Sequence, residues 1–171
     1  MNLRIMFEQI GRFLFRYRAL VAVPFYIMLV LLGEYPALSY FPAILVIGGM
    51  IMRLWAAGYI GENARKKEFK TGYRIIDGPY RILKHPLYLG NLLLVTGVTI
   101  VYSPPLWFFI IIITAFFIIY SLIIISETVY IRKIRCRREI FLFKNIRSEI
   151  STLLIVTFVF AVFFLKYYFL R

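Results

Sequence analysis

One short stretch of the chain combines several residue types that bind small ligands. It reads GPYRILKHPLYLG, residues 78–90, and it contains His85, the only histidine among 171 residues. Gly78-Pro79 is a turn signal, and Pro86 suits the first position of a helix, where its missing N–H costs nothing. His85 is therefore predicted at a helix entry, where spare backbone N–H groups and the positive end of the helix dipole attract an anion.

Further polar groups accompany this histidine. Hydrogen-bond donors flank it in the same stretch: Tyr80, Arg81, Lys84 and Tyr88. Gly90 allows a ligand or a neighbouring helix to come close, and Glu127, at the end of a later apolar segment, can bind an ammonium group or hydroxyls. Singly, a histidine at a helix start is more often a cap, and such a glutamate is often only interfacial. The residues by themselves predict a site for an anionic or zwitterionic ligand.

The composition predicts that helices in a membrane position these groups. Hydrophobic residues make up 62% of the chain, against roughly 45–50% in soluble domains. Five apolar segments reach, or nearly reach, the length of about 20 residues that a membrane-spanning helix needs. They cover residues 19–33, 37–60, 86–102, 105–126 and 150–166. The predicted fold is an all-α integral membrane protein of about five transmembrane helices, with residues 1–171 as a single domain.

The distribution of positive charge predicts an orientation. The formal net charge is +13, and Lys and Arg concentrate before residue 19 and within residues 53–84 and 132–147. The connections GEYPALSYFP and YSPP contain neither residue type. By the positive-inside rule, the N-terminus and the two basic loops are cytoplasmic. No eukaryotic targeting signal is evident, so we expect a prokaryotic cytoplasmic membrane. Lipid headgroups are the expected partners of this charge, and nucleic acid is not, because no soluble domain carries it.

This topology brings two distant stretches to one membrane face. The segment that begins after His85 runs outward and the next runs back to Glu127, so both side chains are predicted at the cytoplasmic face. Arg53 lies seven residues before the end of its segment, roughly 10 Å deep at about 1.5 Å per residue. An arginine there is either functional or snorkels to the interface. In residues 126–149, SETVYIRKIRCRREIFLFKNIRSE, apolar residues are interleaved with Arg and Lys, which predicts an interfacial helix.

Several common sites are not expected. The chain contains no P-loop and no GxGxxG motif, so a Walker ATPase or a Rossmann domain is not predicted. One histidine and one cysteine make a metal site improbable.

The same motif resembles a known family signature. GPYRILKHPLYLG, followed one hairpin later by Glu127, resembles the signature of the membrane methyltransferases related to isoprenylcysteine carboxyl methyltransferase and to bacterial phospholipid N-methyltransferases. The similarity includes RLWAAGYIG and SETVYI and covers residues 48–132, with Lys84 where the family usually has arginine and Ser126 where it often has a second glutamate. The resemblance implies S-adenosylmethionine as cofactor in a pocket at the cytoplasmic face. The implied cofactor-binding residues are His85, Tyr88, Leu89, Gly90 and Glu127, with Lys84 beside them.

The implied reaction is in-line methyl transfer to a carboxylate, amine or other nucleophile of a lipophilic or lipid-modified substrate that enters from the bilayer. Arg53 or Arg81 would orient the acceptor, and Glu127 or His85 would take a proton when the acceptor is an amine. Two alternatives remain: a non-catalytic membrane scaffold with a degenerate pocket, and a membrane oxidoreductase of the steroid-reductase type, which would bind a nicotinamide cofactor.

Overall fold

The fold is a bundle of long apolar helices. The computed structural model describes residues 3–34, 40–61, 73–131 and 135–169. Its elements are α1 (Leu3–Leu32), α2 (Tyr40–Ile60), β1 (Tyr73–Ile75), α3 (Pro79–Ile82), α4 (Pro86–Tyr102), α5 (Leu106–Ile131), β2 (Arg135–Arg137), a 3₁₀ helix (Phe143–Glu149) and α6 (Ile150–Phe169). The predicted all-α membrane fold is confirmed.

Within the described residues, four helical stretches are long and apolar enough to cross a membrane: Gln9–Leu32, Tyr40–Ile60, Leu106–Thr128 and Phe143–Phe169. The third predicted segment, 86–102, forms α4, which is apolar but has only 17 residues. This gives about 25 Å of helix against a hydrocarbon core of about 30 Å. The first predicted segment, 19–33, begins too late, because α1 already starts at Leu3. Its arginines are good helix formers and do not interrupt the helix.

Glycines let two helix pairs approach closely. In the α2–α4 pair, a Cβ added at Gly49 would lie 2.8 Å from the carbonyl oxygen of Gly90. In the α1–α5 pair, a Cβ added at Gly11 would overlap the Ser126 hydroxyl group. Small residues at such crossings permit the close backbone packing that membrane helices use in place of a hydrophobic driving force. The two pairs therefore form rigid units that fix α4 and α5, the helices that carry His85 and Glu127.

The last helix traverses the whole bundle. Near its C-terminus, the Lys166 ammonium group donates hydrogen bonds to the carbonyl oxygens of Val30, at 2.6 Å, and of Gly33. Further back, the Val159 carbonyl accepts a 2.8 Å hydrogen bond from the Tyr102 hydroxyl. The ends of α1, α4 and α6 therefore meet at one end of the bundle, called here the opposite end. The N-terminus of α6 lies at the other end, with His85 and Glu127, called here the site end.

We expect Lys166→Met to lower the stability of the bundle. The change leaves the last carbonyl groups of α1 without the ammonium group that they bind, and a hydrogen bond to a charged group contributes about 1.5–3 kcal/mol. Thermal unfolding of the detergent-solubilised protein measures this loss. Lys144→Met, at an exposed position of the 3₁₀ helix, is the matched control. Equal melting temperatures for the two variants would contradict the role of Lys166.

Two connecting segments are held together at the site end. β1 and β2 pair in parallel, with Tyr73 opposite Arg135 and Ile75 opposite Arg137. The Glu139 backbone N–H donates a 3.0 Å hydrogen bond to the Asp77 carboxylate. These contacts fix the chain before α3 to the chain after α5.

The predicted interfacial helix over residues 126–149 is wrong for the described part of this stretch, and residues 132–134 lie outside the described residues. α5 continues to Ile131 and is followed by β2 and an extended segment, whose Leu142 N–H bonds the Gly58 carbonyl at 3.0 Å. The Phe141 ring packs edge-on against Tyr59, at 5.7 Å between ring centroids, and so does not face lipid. Pairing with residues far away in the chain thus overrides the local apolar and basic pattern.

Candidate functional site

His85 occupies the turn between α3 and α4. Its backbone torsion angles, φ −136° and ψ 64°, lie outside the helical region that a following proline disfavours, and its imidazole makes no capping hydrogen bond to α4. The N–H groups of Tyr88 and Leu89 return to the His85 carbonyl at 3.1 and 3.3 Å. Two of the N–H groups that the sequence predicted as available to an anion are therefore used within the helix. The imidazole itself is left to interact elsewhere.

The imidazole meets the carboxylate of Glu127. His85 Nδ1 lies 3.1 Å from Glu127 Oε2, and the Tyr88 hydroxyl donates to the same oxygen at 2.8 Å. The His85 and Tyr88 rings stack at 10° with centroids 5.3 Å apart. The side chains of His85 and Glu127 remain 17% and 23% exposed, so a ligand can reach them. We call these three residues the rim cluster.

The other predicted site residues near the rim cluster differ in how far they are buried. Leu89 is half-buried and Gly90 is buried, and a Cβ added at Gly90 would lie 2.6 Å from Arg53 Cγ. Lys84 is exposed immediately before His85, and Arg81 is exposed on α3. The structure therefore gathers the predicted histidine, tyrosine, glutamate and glycine, while the two basic side chains stay at the surface beside them.

A second polar cluster lies inside the bundle, centred on Arg53. Its Nε and Nη2 atoms lie 2.8 and 2.7 Å from Glu149 Oε2, and the Glu149 side chain is fully buried. Arg53 Nη1 donates to the Asn91 amide oxygen, and the Asn91 amide donates to the Tyr120 hydroxyl at 2.8 Å. Arg53 is thus paired and does not snorkel. We call these four residues the inner cluster; the sequence analysis identified only Arg53 among them.

Aromatic rings connect the two clusters. The Tyr88 ring, stacked on His85, also meets the Tyr120 ring edge-on, with centroids 5.1 Å apart. Asn91 lies six residues beyond His85 on α4, and Tyr120 lies seven residues before Glu127 on α5. At about 1.5 Å per residue, the inner cluster is therefore about 10 Å further along the helices than the rim cluster.

Three buried side-chain oxygen atoms have no hydrogen-bond partner among the described residues, and the Ser151 hydroxyl is one of them. The Tyr80 hydroxyl and Glu149 Oε1 are both buried and unbonded among the described residues. Burial, followed by the nearby negative charges of Glu127 and Glu149, raises the pKa of the Tyr80 hydroxyl. Tyr80 therefore stays protonated and presents an O–H donor.

Comparison with known proteins assigns the family. A family model described as phospholipid methyltransferase matches residues 37–135, more than half of the chain. The chain belongs to this family. The resemblance inferred from the sequence motif is thereby confirmed, and the family indicates a membrane methyltransferase. Searches of curated proteins and of solved structures give no significant match.

The residues matched by the family model include only part of the candidate site. The rim cluster lies within the matched range, as do Arg53, Asn91 and Tyr120. Glu149 and α6 lie after the matched range. The whole of α1 lies before it, because α1 ends at Leu32. Elements outside the family core therefore complete the inner cluster and one wall of the bundle.

The packing of α1 against α5 explains why a small residue, Ser126, occupies position 126. Gly11 of α1 presses against the Ser126 side chain and against the Leu122 carbonyl oxygen. A glutamate at position 126, as the family often has, would require α1 to move away from α5. The small Ser126 residue and the close approach of α1 therefore depend on each other.

We expect Gly11→Ala to destabilise the protein, because the added methyl group overlaps atoms of α5. Overpacking of this kind typically costs about 1–3 kcal/mol. Gly48→Ala is the matched control, since a Cβ at Gly48 meets nothing within 4 Å and alanine favours the helix. Thermal unfolding in detergent compares the two variants. A Gly11→Ala protein as stable as Gly48→Ala would show that α1 does not pack as described.

Proposed function

We propose that this protein transfers a methyl group from S-adenosylmethionine to a nucleophile on the headgroup of a lipophilic substrate, at the cytoplasmic face of the membrane. The observation that carries the proposal is the rim cluster, in which His85 and Tyr88 converge on one oxygen of Glu127 within a family of membrane methyltransferases. The basic residues near the site end support the cytoplasmic orientation.

The residues at the rim fit the methyl donor. Its amino-acid end is a zwitterion and its ribose carries hydroxyl groups. The Glu127 carboxylate can accept hydrogen bonds from an ammonium group or a hydroxyl, and it is partly exposed. The exposed Lys84 and Arg81 supply positive charge for a carboxylate. The buried Gly90 contributes differently, because the space that a side chain would fill there is taken by Arg53 and Gly49 of α2.

The bound donor supplies an electrophilic methyl group on a positively charged sulfur. The protein's own residues contribute placement, which in general accounts for much of the acceleration of a two-substrate reaction. Tyr88 and His85 hold Glu127 in one orientation. When the acceptor is an amine or a hydroxyl, Glu127 or His85 is the group within the rim cluster that can take its proton.

In this proposal, Arg53 is a positioning residue that holds neighbouring helices in place. A guanidinium group has five N–H donors. Contacts to Glu149, Asn91 and Thr152 engage four of those of Arg53. Arg53 therefore holds α2, α4 and α6 together and keeps at most one donor for an acceptor. Arg81 is exposed beside the rim cluster and is the basic residue available to orient an acceptor there.

Calorimetry and a labelled-methyl assay test the proposal. Purified protein in detergent should bind S-adenosylmethionine, and His85→Ala should weaken that binding. Vesicles containing either an amine-headgroup phospholipid or a prenylated cysteine serve as acceptors. Donor binding without transfer to any lipid acceptor would favour a non-catalytic scaffold. A nicotinamide cofactor bound in preference to S-adenosylmethionine would favour the oxidoreductase alternative, and wild-type protein that does not bind the methyl donor would refute the proposal.

A further inference from the structure

Two hydrogen bonds cross from α4 to α5 near the site end. The Tyr88 hydroxyl donates to Glu127 Oε2 at 2.8 Å, and the Asn91 amide donates to the Tyr120 hydroxyl at 2.8 Å. Asn91 lies three residues after Tyr88 on α4, so the two residues share one face of that helix. Tyr120 lies seven residues, about two turns, before Glu127 on α5, so these residues also share a face. Both hydrogen bonds therefore span the same helix interface.

Arg53 fixes the direction of the Asn91–Tyr120 hydrogen bond. A guanidinium group donates hydrogen bonds and accepts none, so the oxygen of the Asn91 amide must face Arg53 Nη1. The Asn91 Nδ2 group then points to the Tyr120 hydroxyl, which accepts its hydrogen bond. Arg53 is itself held by the fully buried carboxylate of Glu149. Tyr120 is thus attached, through Asn91, to an ion pair that lies outside α4 and α5.

The Tyr120 ring passes this restraint to the rim cluster. It meets the Tyr88 ring edge-on, with centroids 5.1 Å apart, and stacks on the Phe116 ring at 4.0 Å. The His85 ring stacks on Tyr88 at 5.3 Å, so Tyr88 has an aromatic neighbour on two sides. These contacts limit the movement of the Tyr88 ring and keep its hydroxyl directed at Glu127. A satisfied polar network inside a protein specifies one arrangement of its members.

We propose that Asn91 and Tyr120 are positioning residues for the methyl-donor site. Through the Tyr88 ring they hold the Tyr88 hydroxyl against Glu127, and neither of them needs to contact the donor. This inference rests on the proposed function. Because Glu149 anchors this series of contacts, the orientation of Glu127 depends on a residue beyond the range matched by the family model.

Tyr120→Phe tests the proposal, because it removes the hydroxyl group and keeps the ring. Tyr26→Phe is the matched control: Tyr26 is also half-buried, and its hydroxyl lies 3.2 Å from the Tyr102 hydroxyl of another helix at the opposite end. The two variants should lose similar stability, and thermal unfolding establishes that both are folded. Tyr120→Phe alone should lower the affinity for S-adenosylmethionine, by about three- to tenfold, the range of one neutral hydrogen bond.

A double-variant cycle with Tyr88→Phe distinguishes positioning from general stability. Effects of residues that act through each other are not additive. If Tyr120 acts through the Tyr88 hydroxyl, adding Tyr120→Phe to Tyr88→Phe should change the donor affinity by less than about twofold. Calorimetry on the purified proteins measures all four affinities. Fully additive losses would contradict the proposed route.

A second readout needs no bound donor. His85 is the only histidine of the chain, so the NMR signals of its ring C–H groups are identified without further assignment. Because the His85 and Tyr88 rings stack, the ring current of Tyr88 influences these signals. At fixed pH, Tyr120→Phe should shift or broaden them, whereas Tyr26→Phe should leave them as in wild type.

The remaining outcomes also decide. Unchanged donor affinity or unchanged His85 signals in a folded Tyr120→Phe protein overturns the positioning role. Equal effects of Tyr120→Phe and Tyr26→Phe on either readout overturn it as well. Wild-type protein that does not bind the donor contradicts the proposed function instead, and the His85 signals then decide alone whether Tyr120 holds the rim cluster.

Discussion

Glu127→Gln is expected to lower the affinity for S-adenosylmethionine by about 10- to 100-fold. Glu127 Oε2 receives the Tyr88 hydroxyl and faces His85 Nδ1. The amide removes the negative charge that would bind the donor's ammonium group or hydroxyls, and a hydrogen bond to a charged group contributes about 1.5–3 kcal/mol. Isothermal calorimetry on purified protein measures the change directly.

The matched control is Glu34→Gln, an exposed glutamate at the opposite end of the bundle. Its donor affinity should equal that of wild type. Tyr88→Phe should weaken binding less than Glu127→Gln does, because it removes one hydrogen bond to the carboxylate and leaves the charge. Equal donor affinities for Glu127→Gln and Glu34→Gln would exclude the rim cluster from cofactor binding.

Arg53→Met is expected to destabilise the protein by about 3–5 kcal/mol, the usual cost of removing one partner of a buried ion pair. The loss arises because Glu149 is fully buried and would be left without the guanidinium group that it pairs with. Chemical or thermal unfolding in detergent measures the loss. The single change Glu149→Leu should be destabilising for the corresponding reason, since it leaves Arg53 unpaired inside the bundle.

The double variant Arg53→Met with Glu149→Leu separates charge from packing. Replacing both partners by apolar side chains of similar size is often neutral or stabilising, so the double variant should recover most of the stability lost in either single variant. Additive destabilisation in the double variant would show that the two side chains do not interact as described.

Topology was sufficient to predict the rim cluster from the sequence. His85 begins one apolar segment and Glu127 ends the next, and two antiparallel helices joined by a short turn must bring such positions to the same end. That inference needs only the direction of each helix. It does not need the rotation of each helix about its own axis. In the structure, the close approach of neighbouring helices at Gly90 and Gly11 fixes that rotation.

The inner cluster depends on pairing that no local pattern encodes. Arg53 and Glu149 are 96 residues apart, and α6 had no assigned neighbour in the sequence analysis. A signal was present nonetheless: an arginine well inside an apolar segment needs a carboxylate, and the chain has only eight acidic residues. Glu149 lies directly before the apolar segment 150–166, so it was one of the few acidic residues that could lie at the same depth as Arg53 and pair with it.

The 96-residue separation between Arg53 and Glu149 also has a consequence for biosynthesis. At about 5–20 residues per second, a ribosome that has completed Arg53 needs roughly 5–20 s more to reach Glu149. During that interval α2 has entered the membrane with an arginine whose carboxylate has not yet been made. The insertion machinery, water or lipid headgroups must therefore solvate this charge until the chain preceding α6 arrives, and the arrival of Glu149 completes the ion pair.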